Sequence, residues 1–374
     1  YTFDPTDPPM VSPPVPAPLV SGAAGNRLKN FCWPGTGGTA CSDGSGLDAA
    51  EQALFNPATQ LPQAVAAAPL TPWTPAQTAN ATGPSLVDYL RGENALESTG
   101  RLPAEFTDIY RPRPSLLGDL VNAQPAYVKK SPFLYNTAAD KGYQAFKACT
   151  EGTGTGCLLE LFPDRPSGKP RRGTVYAAAN DGMLHAFETD FTNTPGSAFF
   201  QTAGISTAAV DDDVFTGTNV GNGVERWAYI PRLLMPKLYR LASIPYTHTY
   251  YADGSPQVGD ICISVTGTPP ECQGQDFWRT ILVAGFNSGG NGYYALDVTN
   301  PLEPKGLWEF GNAGVCYTNA QIAAGDKTSD CNVGLSYGNP VITKRKSDGK
   351  WVVLVTSGYN NNTGGATAAD RGDG

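Results

Sequence analysis

The sequence predicts an all-β fold: a partial, irregular β-propeller with inserted loops and short helices, stapled by disulfides. Three observations predict it. Glycine (43) and proline (32) together make about a fifth of the 374 residues, as many short strands joined by tight turns require. A pattern of strand, hairpin and strand recurs after residue 115. Eight cysteines fall into neighbouring pairs, Cys32 with Cys41, Cys149 with Cys157, Cys262 with Cys272 and Cys316 with Cys331. Their spacing suits stapled hairpin ends and surface loops, whereas zinc sites favour Cys-x-x-Cys, which occurs nowhere here. Disulfides in turn imply an oxidising compartment.

Residues 1–105 read as a Pro/Ala-rich lead-in with short helices, loosely packed, and residues 106–374 as the propeller domain, incomplete at its C-terminus. The first 21 residues hold seven prolines and read as extended chain. Asp48 to Leu54 suits a short helix, with Asp48 as cap and Glu51 three residues on, as a capping box wants. VDYLRGE, from Val87 to Glu93, is a second helical piece.

From Ser115 the chain turns to short β-rich runs. SLLGDLVNAQPAYV, YADGSPQVGDICI and LSYGNPVITK each place a proline (Pro125, Pro256, Pro340) before an apolar strand start. Each is followed by a second type of run: RRGTVYAAANDGMLHAFE, WRTILVAGFNSGGNGYYALDVTNP and KWVVLVTSGYNN. Asn180-Asp181-Gly182, Asn291-Gly292 and Asp348-Gly349 are expected to turn the three hairpins with residues at φ > 0. Copies of one hairpin, spaced unevenly by insertions such as Thr189 to Gly223, favour a propeller over a sandwich. Between copies, Glu225 to Leu241 reads as a strand and then a short helix, with Pro236 in its first turn and Leu234, Leu238 and Leu241 on one face. About ten strands lie between Ala126 and Ser357, between two and three four-stranded blades. The expectation is an open β-array, or an edge near residues 351–356 covered by another polypeptide.

Bulk properties exclude some functions. A net charge of -8 would repel a phosphate backbone, so nucleic acid is not an expected partner. No run of 18 apolar residues occurs, so no membrane span is expected. The chain begins at Tyr1 without a basic-then-apolar leader, which reads as a processed protein or a fragment.

LGDLVNAQPAYV, VYAAANDGMLHAF, ERWAYIPRLL, YADGSPQVGD, WRTILVAGFNSGGNGYYALDVTNP with LWEF at Leu307 to Phe310, and SYGNPVITK with KWVVLVTSGYNN occur in that order from Ser115 to Asn361. Together they resemble the C-terminal propeller domain of the PilY/PilC family of type IV pilus assembly proteins and adhesins. The resemblance implies a non-enzymatic pilus biogenesis factor and tip adhesin, exported through the periplasm to the extracellular pilus tip. There it would bind minor pilins and host or abiotic surfaces, with a host cell-surface receptor as a further partner. It also implies a preceding von Willebrand-type domain and a calcium loop of Asp-x-Asp-x-Asp-Gly type. This chain shows neither, so no cofactor is expected in it, and calcium is implied only for residues following Gly374.

The enzyme alternative is a quinoprotein (PQQ-type) propeller oxidoreductase. Such enzymes resemble one another in an adjacent Cys-Cys disulfide, and no Cys-Cys dipeptide occurs here. Nucleophile-elbow, phosphate-loop and H-E-x-x-H motifs are also absent. His185 alternates with Met183 and Phe187 on a strand and reads as a packed residue, while His248 lies in a tyrosine-rich loop. Asp211-Asp212-Asp213 suits a hard cation by chemistry but reads better as a solvated loop. Ser288 to Gly292 joins two strands and reads as a hairpin loop, not a phosphate cradle. Arg371-Gly372-Asp373 resembles the integrin-recognition tripeptide and is the candidate receptor contact.

Overall fold

The computed structural model describes residues 1–3, 28–35, 41, 46–62, 72–98, 108–163, 168–189, 223–268, 270–311, 333–356 and 358–359. Each of the first two repeat copies becomes a four-stranded antiparallel sheet. In the first, β3 (Ala126–Val128), β4 (Thr174–Ala178), β5 (Leu184–Glu188) and β6 (Glu225–Tyr229) pair in sequence order. In the second, β7 (Gln257–Cys262), β10 (Trp278–Gly285), β11 (Gly292–Asp297) and β12 (Lys305–Gly311) do the same. A small hairpin of β8 (Val265–Thr266) and β9 (Glu271–Cys272) is inserted after β7. The blades share an irregularity: the register shifts between the third and fourth strands, at Ala186/Phe187 in one and at Ala295/Leu296 in the other. The third copy contributes a two-stranded sheet, β13 (Val341–Lys344) with β14 (Trp351–Leu354). Among the described residues the array is therefore open, with two complete blades and the start of another.

Strand β10 shows how the blades stack. All eight of its residues are buried, and side chains alternate across a strand. Leu282 and Ala284 face the core shared with Tyr176, Ala186, Trp227 and Tyr229 of the first blade. Ile281 and Val283 face the opposite way, onto Ile342 and Val353 of the third hairpin. A strand covered on both faces reads as a continuous apolar run, as TILVAG does. Polar links cross the same junction: the Trp227 indole N–H donates to Pro301 O at 2.9 Å. Arg171 Nη1 donates to Thr280 Oγ1 at 2.7 Å, and Thr280 donates on to Asp260 at 2.7 Å.

The hairpin turns follow the expected chemistry at two of three places. Gly182 has φ 93 and Gly349 φ 67, conformations that side chains with a Cβ resist. At the third, Asn291-Gly292 is corrected: the left-handed residue is Asn287, φ 49, and Gly292 lies extended within β11. Asparagine is one of the few residues besides glycine that visits that region, and here its Nδ2 donates to the distant Asp253 O at 2.7 Å.

The expectation that residues 1–105 pack loosely is also corrected, for their described part. Helix α1 (Ala49–Gln52) has the capping box of Asp48 and Glu51. Helix α2 (Pro57–Gln60) and helix α3 (Pro75–Asn80) follow. Helix α4 (Gly83–Leu90) begins earlier than its Val87 start in sequence, because Thr82 caps it. Phe31, Leu47, Phe55, Leu61, Leu86, Val87 and Leu90 all join the main core. A composition rich in alanine and proline concealed these few large apolar anchors. Strand β1 (Thr2–Phe3) pairs with β2 (Leu28–Lys29), and buried Glu51 binds Lys29 at 2.6 Å and Arg232 at 3.1 Å.

After helix α5 (Tyr143–Thr150), the inter-copy segment folds as read. In helix α6 (Met235–Leu238) Pro236 lies in the first turn, and Leu234, Leu238 and Leu241 are buried.

Candidate functional site

A surface cleft gathers where α4, the segment after Tyr110, the β4–β5 turn and residues 241–248 meet. It has a volume of about 230 Å³. Pro112 and Pro114 keep Arg111-Pro-Arg-Pro extended, so its two arginines leave the backbone separately. Arg113 is fully committed: it binds Glu97, the Tyr89 carbonyl at 2.7 Å and the Glu93 carbonyl at 2.9 Å, with its guanidinium 3.7 Å from the Tyr89 ring centre. Arg111 spends Nε on Leu241 O at 2.9 Å, and its guanidinium lies 4.0 Å from the Tyr246 ring centre.

The far wall is the Asn180-Asp181-Gly182 turn. Asp181 accepts from Gly118 N at 2.7 Å and from Met183 N at 3.0 Å, and contacts His185 Nε2. His185 Nδ1 lies 2.6 Å from Glu225. Burial alone would lower the His185 pKa, but the hydrogen bonds and charges of Asp181 and Glu225 outweigh it and raise it to about 9. The imidazole is thus a buried cation held between two carboxylates, as suits a packed strand residue and not a base near neutrality. His248 lies at the mouth, 2.9 Å from Asp119. Leu116 and Leu117 line the cleft and are exposed, and Leu120 and Val121 are exposed just after them in the chain, although the backbone of this segment is tied down. Asn122 donates to Asp253 from N and from Nδ2, and Gln124 N to Ser255.

Three cysteine pairs are cross-linked as neighbours: Cys32–Cys41, Cys149–Cys157 and Cys262–Cys272. The last two meet in one cluster around Trp278, Tyr143 and Phe146. Cys316 with Cys331, Asp211 to Asp213, and Arg371-Gly372-Asp373 lie outside the described residues. Ser288 to Gly292 joins β10 to β11, as a hairpin loop does. Among the described residues no group of three or more His, Cys, Asp or Glu is gathered to hold a metal ion. No helix among them is long and apolar enough to cross a membrane. Sequence reasoning missed Arg111, whose difference from Arg113 depends on tertiary neighbours.

Stacked four-stranded antiparallel blades, with the surface chemistry on loops, define a protein of the β-propeller class. More particularly, the chain belongs to the PilY1 beta-propeller domain family, whose family model matches residues 117–371. It is 30% identical over 285 residues to the type IV pilus biogenesis factor PilY1 of Pseudomonas aeruginosa (strain PAK), covering 75% of this chain and 18% of that protein. It is also 30% identical over 275 residues to a PilY1 homolog of Xylella fastidiosa (strain Temecula1 / ATCC 700964), covering 73% and 16%. The chain thus spans less than a fifth of the length of these curated relatives. The crystal structure of the Pseudomonas aeruginosa PilY1 C-terminal domain aligns with 63% of this chain and 32% of that one. At 24% identity and a TM-score of 0.33, that overlap is too distant to place any residue.

Proposed function

We propose that this chain is part of a non-enzymatic type IV pilus biogenesis factor that also acts as an adhesin at the pilus tip. It is exported through the periplasm and works extracellularly. Its partners are minor pilins at the tip and a host or abiotic surface, and Arg371-Gly372-Asp373 is the contact for a host receptor. The observation that carries this reading is the family match over residues 117–371. The local disulfides support it, since such bonds persist in oxidising compartments.

The test is deletion of the gene encoding this chain in its own organism. Loss of surface pili and of attachment, restored by the intact gene, is the expected result; unchanged piliation overturns the reading. In the full chain, Asp373→Glu should abolish integrin binding, because the receptor reads a carboxylate at one reach; unchanged binding removes the tripeptide from the proposal. Oxidation of alcohols or sugars by the purified protein loaded with pyrroloquinoline quinone would overturn the non-enzymatic assignment.

A further inference from the structure

We propose that the cleft beside Arg111 binds an extended peptide, taking one acidic side chain onto the Arg111 guanidinium and a neighbouring aliphatic side chain against Leu116 and Leu117. This goes beyond pilus assembly and does not depend on it.

The first support is the contrast between two arginines of one short segment. Arg113 has its fork filled by Glu97 and two carbonyls. Arg111 is held by fewer contacts, Leu241 O and the face of Tyr246. Among the described residues its two terminal nitrogens meet no carboxylate, and it lines the cleft. Its side chain also hydrogen-bonds the Tyr89 hydroxyl, a neutral partner that leaves its charge uncompensated. A planar guanidinium without a carboxylate partner matches an incoming carboxylate.

The second support is independent of charge. Leu116 is 58% and Leu117 41% exposed, with Leu120 and Val121 beside them. The backbone under them is pinned by Asp181, Asp253 and Ser255, so their exposure is built into the fold. Exposed apolar side chains next to convergent polar groups, as Leu116 and Leu117 are in this cleft, are what a binding cleft offers.

Other ligand classes fit less well. Saccharides are recognised on open aromatic faces, whereas each tyrosine in the cleft already carries a guanidinium. Nucleic acid would meet Asp119 and Asp181 across the cleft and a net charge of -8. The same two carboxylates disfavour a peptide carrying several acids, so the preferred segment has one acid beside an aliphatic residue. The volume of about 230 Å³ holds a few side chains, so recognition is local.

The test is an NMR titration of the full chain with acetylated, amidated Ala-Glu-Leu-Ala, followed at the arginine side-chain Nε resonances. Saturable binding at millimolar peptide or below is expected. It should weaken about tenfold when the peptide Glu is replaced by Gln or when the protein carries Arg111→Gln, as loss of a charge-assisted pair implies. Arg111→Lys should weaken it severalfold, because the charge remains and the fork is lost. Leu116→Ser, at an exposed position that leaves the fold intact, should also weaken it severalfold. Equal affinity for the Glu and Gln peptides, indifference to both Arg111→Gln and Leu116→Ser, or no binding by millimolar peptide overturns the proposal. So does binding of a galacturonate oligomer in preference to the peptide, which would make the cleft a saccharide site.

Discussion

Glu309 of β12 accepts the Tyr229 hydroxyl of β6 at 2.5 Å, joining the fourth strands of the two blades. The same carboxylate accepts from Arg232 N at 2.7 Å and Leu233 N at 3.2 Å. One side chain therefore ties both blades to the start of the connecting helix.

Burial raises the Glu309 pKa from 4.5 to about 7, against the hydrogen bonds that favour the anion. Because the folded value is raised, the stabilising contribution is fully present below about 4.5 and is lost as pH rises through about 7. Thermal unfolding should show wild type losing stability against Glu309→Gln over that interval, by about 3 kcal/mol at most. Parallel pH profiles for the two proteins would refute this.

His185 follows the same sign at higher pH. Its folded pKa is raised from 6.5 to about 9, so its contribution is complete below about 6.5 and disappears as pH rises through about 9. An imidazole NMR titration should show a midpoint near 9, and His185→Gln should flatten the stability profile above neutrality. A midpoint at or below 6.5 would contradict the paired arrangement.

Leu282 and Val283 are adjacent and both fully buried, but they serve different interfaces. Leu282→Ala should cost about 3 kcal/mol globally by opening a cavity between the blades. Val283→Ala should cost less overall but speed amide exchange in residues 341–354. Identical exchange patterns for the two variants would show that β10 does not divide two layers.

Cys149–Cys157 and Cys262–Cys272 brace one aromatic cluster around Trp278. Replacing either pair by alanine should cost about 2.5 kcal/mol in the chain-entropy model. Since the pairs share a cluster, the combined loss should differ from the sum of the separate losses. Simple additivity in chemical denaturation would argue against that coupling.

Signals carried by neighbouring residues were legible in the sequence. The Asp48–Glu51 capping box, Pro236 at a helix start and Gly182 in its hairpin each depend on positions a few residues apart, and so does the pairing of Cys149 with Cys157. The blade repeat was legible because each copy pairs strands in sequence order. Relationships across 80 residues, such as Tyr229 with Glu309, leave no local trace. Nor could periodicity separate the two faces of β10, since both are apolar. Arg111 and Arg113 look alike in sequence and differ only in what the fold brings to each. The extent of packing before residue 105 was missed because scattered anchors such as Phe55 and Leu61 sit in otherwise unremarkable composition.

The segment from Gly118 to Gln124 is fastened at one end to the Asp181 turn and at the other to Asp253 and Ser255. Those two anchorages belong to different blades, so the segment works as a strap between them. Rotation of one blade away from the other would have to strain both anchorages, at Asp181 and at Asp253 with Ser255. Exposed Leu120 and Val121 ride on this strap, and Leu116 and Leu117 lie just before its first anchorage.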